Sequence, residues 1–117
     1  MPRSGTDLVN EAKQRITEID PAEARARLAA GDAVFVDVRE PNESNLGRIP
    51  GATILPRGTI EVRGEGVLPR GRRLIVYCAG GSRSALAADT LQTMGYEAVS
   101  LRGGYRGWVE SGGAVEG

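Results

Sequence analysis

The chain is punctuated by short apolar runs separated by mixed polar stretches. AVFVDV at 33–38 and RRLIVYC at 72–78 are rich in β-branched and aliphatic residues, with little polar alternation. That is the pattern of strands buried on both faces. EAVSL at 97–101 is a third strand of the same kind, and ITEI at 16–19 and TIL at 53–55 are shorter candidates. Helical stretches lie between them. DLVNEAKQR at 7–15 is amphipathic. A helix then opens at Asp20-Pro21, with Asp20 as N-cap, Pro21 in the first turn and Glu23 three residues past the cap, and Gly31 stops it. RSALAADTLQTM at 83–94 reads as helix ended by Gly95, and RGGYRGWVESGG at 102–113 as a glycine-rich turn into a short helix. PNESNLGRIPGA at 41–52 reads as loop, with one helical turn near Glu43, and PRGTIEVRGEGVLPRG at 56–71 as irregular.

Strands alternating with helices predict an α/β domain around a mainly parallel central sheet. In such sheets ligands sit beyond the carboxyl ends of the strands, and Cys78 lies at one of these ends. The pattern divides the chain into a helical extension over 1–16, one domain over 17–110 and a flexible tail over 111–117.

Composition narrows the chemistry. A chain of 117 residues makes a single core. No run approaches the length of a membrane span, and the N-terminal stretch lacks the apolar core of a secretory signal. The single cysteine cannot form an internal disulfide, which predicts the reducing cytoplasm. Formal charge is zero, so a nucleic-acid partner held by net charge is not expected, nor is a membrane. Between residues 48 and 83, however, Arg48, Arg57, Arg63, Arg70, Arg72, Arg73 and Arg83 face only Glu61 and Glu65. Arginine forks suit oxyanions, which favours a small anionic substrate. There is no histidine. A Cys-His pair, a Ser-His-Asp triad and a histidine-ligated metal are therefore excluded, and no metal site is expected.

YCAGGSRS at 77–84 carries the most specific signal. A buried strand ends at Tyr77 and a helix begins near Ser82 to Ser84, so the segment between must turn sharply. Gly80 and Gly81 permit the required backbone angles. Successive amides in such a turn converge into an anion-binding nest, reinforced by the helix dipole. A lone cysteine after an apolar strand is commonly a buried structural thiol. The glycines, Arg83 and the helix start together favour a nucleophile, activated by its position without imidazole.

VDVREPNE at 36–43, GRIPGATILPRGTIE at 47–61 and IVYCAGGSRSALAADTLQTMGYEAVSLRGGYRGW at 75–108 together resemble the single-domain rhodanese family. The resemblance runs from about Thr17 to Trp108. It implies a five-stranded parallel sheet flanked by helices, and a sulfurtransferase. Such an enzyme takes a sulfane sulfur from an anionic donor such as thiosulfate onto a cysteine, as a persulfide, and passes it to cyanide, a thiol or sulfite. No cofactor is implied beyond that covalent persulfide. On these residues Cys78 is the nucleophile. Ala79, Gly80, Gly81, Ser82 and Ser84 supply the cradle, and Arg83 closes it on the donor's oxyanion, with Arg57 a further substrate contact. Asp37 and Arg39 support the loop from beneath, while Gly103, Gly104 and Trp108 are architectural. A protein sulfur donor or acceptor is also compatible, with residues 57–73 as the place of contact. Arg48 stands where many members have histidine, and Ala79 where some thiosulfate enzymes carry a charge.

Two other classes compete. Phosphatases and arsenate reductases use a Cys…Arg loop, usually as H-C-x5-R. Here the spacing is C-x4-R, with Tyr77 in the histidine position. A regulatory module of the same fold would usually have lost the cysteine.

Overall fold

The computed structural model describes residues 2–117. Its elements in chain order are α1 (Gly5–Arg15), β1 (Glu18–Ile19), α2 (Pro21–Ala30), β2 (Ala33–Asp37), α3 (Pro41–Ser44), β3 (Thr53–Ile54), α4 (Ile60–Val67), β4 (Arg73–Tyr77), α5 (Ser82–Thr93), β5 (Glu97–Leu101) and α6 (Gly104–Glu110). A 3-10 turn, Arg57–Thr59, precedes α4. The five strands form one sheet in the order β1-β5-β4-β2-β3, every pair parallel.

The period of two along β4 sorts the core into two layers. Leu74, Val76 and Cys78 point to one face with Leu91, Ala87 and Ile60, so α4 and α5 cover that side. Ile75 and Tyr77 point to the other face with Ala24 and Trp108, under α2 and α6. The extension α1 lies along α5, where Arg15 forks onto Asp89 at 2.9 and 2.6 Å.

Local signals account for the ends of α2. Asp20 accepts the Glu23 amide at 2.8 Å, and Gly31 closes the helix at φ 69°. The 56–71 stretch departs from expectation. It contains the 3-10 turn and the full helix α4. Tertiary contact overrides poor propensity there. Ile60 and Leu68 reach the core, and Gly64 is buried where a Cβ would meet Ile60, Leu68 and Met94 at 3.8–3.9 Å.

Residues 111–117, expected to be a flexible tail, make specific contacts with the body. Arg48 and Glu116 exchange both backbone hydrogen bonds at 2.9 Å, and Ala114 accepts the Trp108 indole N–H at 2.7 Å. Trp108 is thereby fully buried. No helix among the described residues is long and apolar enough to cross a membrane.

Candidate active site: the Cys78 loop

The register of the sheet sets the position of the site. Asp37 of β2 pairs with Tyr77 of β4, so both strands end level with Cys78. Past Tyr77 the chain folds under the sulfur. Cys78 Sγ accepts the Gly81 amide at 3.1 Å and the Ser84 amide at 3.3 Å. The thiol donates to Ser84 Oγ at 3.5 Å, and that hydroxyl lies 2.9 Å from Ser100 Oγ. Ser84 and Ser100 are fully buried, and Cys78 is 1% exposed. Gly81 sits at φ 112°, a region that disfavours any side chain, and this turn brings its amide to the sulfur.

The carbonyls of the loop point elsewhere. Cys78 O accepts the Tyr105 amide at 2.7 Å, and Ala79 O accepts the Arg106 amide at 3.2 Å. This close approach requires glycine. A Cβ on Gly104, whose φ is +62°, would lie 2.5 Å from Cys78 O and 2.6 Å from Ala79 O. With the carbonyls consumed by α6, the amides of Ala79, Gly80, Ser82 and Arg83 donate to no acceptor among the described residues. The loop therefore turns its positive dipole ends to the mouth of the site.

Arg83 lies in the first turn of α5, directly after the loop, and its guanidinium is engaged. Nη1 and Nη2 fork onto the Glu43 carboxylate at 2.8 and 3.1 Å. Hydrogen bonding from Arg83, then from the Glu40 amide, holds the Glu43 carboxyl down at about 2. Arg57 is not brought to the loop. It pairs with Glu61 at 3.2 Å and donates to Thr90. Arg48, in the position of the family histidine, pairs with Glu116 at 3.6 Å and donates to Ser44 O.

Beneath the loop lies a closed polar network. Asp37 accepts Arg39 Nε at 3.0 Å, Arg39 Nη2 at 2.7 Å, Ser44 Oγ at 3.0 Å and the Tyr77 hydroxyl at 2.9 Å. Tyr77 in turn accepts the Ile49 amide. Burial, reinforced by the Asp37 charge, pushes the Tyr77 phenol well above its ordinary range. The Arg39 guanidinium lies 4.3 Å from the centre of the Tyr105 ring. The network thus links β2, β4 and α6.

The rhodanese-like domain family matches residues 20–111. The chain belongs to that family. A sulfurtransferase of Allochromatium vinosum is 38% identical over 99 residues, covering 83% of this chain and 92% of its own. Among solved structures, a Rhodopseudomonas palustris CGA009 protein of unknown function, described as a possible tyrosine phosphatase, superposes with TM-score 0.90. It is 35% identical and covers 99% of this chain and 96% of its own. A thiosulfate sulfurtransferase of Pseudomonas aeruginosa superposes with TM-score 0.81 at 33% identity, covering 93% of this chain and 21% of its own. This rhodanese-like domain is thus related to sulfurtransferases of both similar and much greater length.

Three parts of the site escape a reading of the sequence. Glu43 is placed on a helical turn but given no role, because its partner Arg83 is 40 residues away in sequence. Ser100 is the lone polar residue inside a buried strand, and that isolation is the available signal. Arg106, whose amide donates to Ala79 O, lies between the glycines and the tryptophan of the GGYRGW segment, and nothing in that segment marks it. Among the described residues no group of acidic, histidine and cysteine side chains could hold a metal.

Proposed function

We propose that this rhodanese-like domain accepts a sulfane sulfur on Cys78 from an anionic donor such as thiosulfate, then passes it to cyanide, a thiol or sulfite. The Cys78 sulfur attacks the outer sulfur of thiosulfate, and sulfite leaves with the electron pair of the broken S–S bond. The persulfide then yields its outer sulfur to the acceptor and returns to the thiolate. Neither step requires proton transfer from a histidine. The persulfide is the only group the reaction needs, so no cofactor enters.

The observation that carries this reading is the convergence of the Gly81 and Ser84 amides on Sγ, with further free amides at the loop mouth. Cys78 is a leaving group in the second step, and preorganised donors on a departing anion are the most effective electrostatic help available. Asp37 and Arg39 keep the floor of the loop rigid. A phosphatase reading draws on the name of the Rhodopseudomonas relative. Against it stand the shorter C-x4-R loop and an Arg83 whose charge is already matched by Glu43.

The test is intact-protein mass after incubation with thiosulfate. Wild type should gain one sulfur, about 32 daltons, lost on adding cyanide as thiocyanate appears. Cys78→Ser should gain nothing. Turnover of thiosulfate by the serine variant would sink the proposal.

A further inference from the structure

We infer that Arg106, rather than Arg83, receives the sulfonate end of thiosulfate, or sulfite, at the mouth of the Cys78 loop; this rests on the persulfide reading of Cys78. A donor with two negative charges needs a cation whose own charge is unmatched. Arg83 is forked onto Glu43, Arg39 is buried on Asp37, and Arg57 is turned to Glu61 and Thr90. Each retains N–H groups but little net charge to offer.

Arg106 differs on every count. It has no carboxylate within ion-pair distance among the described residues, and Glu110, one turn further along α6, does not reach it. Its side chain is exposed. Its place is nevertheless fixed, because its own amide donates to Ala79 O. The guanidinium lies against the loop, with Nη1 3.8 Å from the point where a Cβ on Gly80 would stand. Beside it opens a groove of about 440 Å³ lined by Ala79, Tyr105, Arg106, Val109 and Glu110. The groove is open to solvent on one side and ends on Ala79, the residue next to Cys78.

The division of labour follows from the charges. Cys78–S⁻ and S–SO₃²⁻ give Cys78–S–S⁻ and SO₃²⁻. The new S–S bond forms at Cys78, the old one breaks, and sulfite carries away the electron pair. A guanidinium fork on the SO₃ oxygens offsets the approach of two anions and remains on sulfite as it departs. The reverse reaction, in which sulfite discharges the persulfide, uses the same contact. Discharge by an uncharged thiol does not.

Single-turnover kinetics on Arg106→Gln separate these steps, with wild type and Arg106→Lys alongside. Charging by thiosulfate should show KM raised about tenfold, with the maximal rate little changed, and the lysine variant should recover part of the loss. Protein charged instead with inorganic polysulfide, which gives up one sulfur and leaves as the next shorter polysulfide, should discharge with sulfite about tenfold more slowly at low sulfite. Its discharge by 2-mercaptoethanol should stay within twofold of wild type, which also reports an intact fold. Equal thiosulfate KM and equal sulfite discharge in wild type and Arg106→Gln would overturn the assignment. A wild type that neither thiosulfate nor polysulfide can charge would instead remove the persulfide reading, and this one with it.

Discussion

A methyl group on Gly104 would lie 2.5 Å from the carbonyl oxygen of Cys78, in a backbone region (φ +62°) that already disfavours side chains. Gly104→Ala must therefore push α6 off the loop, at a cost of about 2–4 kcal/mol, measurable as a lower urea midpoint. Once released, the loop no longer seals a thiol that is 1% exposed in the native fold, so thiol labelling of Cys78 should quicken as well. The Glu43–Arg83 pair has a gentler signature. Both partners are roughly one-third exposed, so Glu43→Gln should cost less than about 1 kcal/mol. The sign of its pH dependence follows from the lowered Glu43 carboxyl, at about 2 against an ordinary 4.5. The contribution is complete above the ordinary value and fades as pH falls toward the native one. The difference in urea midpoint between wild type and Glu43→Gln should be constant from pH 8 to 5 and shrink below pH 4.5.

At the level of elements, what could be read from the chain depended on whether the signal was local. Asp20, Pro21, Glu23 and Gly31 bound α2 by their own hydrogen bonds and backbone angles, and the sequence marks both ends. β2, β4 and β5 announce themselves as apolar runs, because strands buried on both faces can carry little else. The helix α4 has no such mark. Gly64 and Gly66 lie inside it, and its helicity comes from Ile60 and Leu68 being drawn into the core by contacts remote in sequence. Within the site, Cys78 was legible as the residue after a buried strand and Gly81 because the turn demands its positive φ, whereas Gly80 takes an ordinary backbone conformation. Glu43 was not legible, because its partner is 40 residues away. The two glycines of α4 make a prediction of their own. Gly66 has open space where a Cβ would go and no positive φ. Gly66→Ala should therefore stabilise the protein by about 0.5–1 kcal/mol, raising the urea midpoint without changing sulfur transfer.

Over the whole molecule, the all-parallel sheet aligns the carboxyl ends of β2 and β4, so a network hung on Asp37 lies directly under a loop that begins at Cys78. The final residues complete the other end of α6. Ala114 accepts the Trp108 indole N–H, and Glu116 bridges to Arg48 and to the Gly51 amide. Ending the chain after Ser111 removes these contacts and should lower the melting temperature by several degrees, roughly 4–8 °C for each kcal/mol lost. Trp108 is the single tryptophan of the chain, packed edge-on to Phe35 with ring centres 5.8 Å apart. The domain therefore carries its own fluorophore, on the same short helix whose first amides hold the sulfur loop. Its emission should shift to the red when the tail is cut or α6 lifts, so the state of that helix can be followed optically without attaching a dye to Cys78.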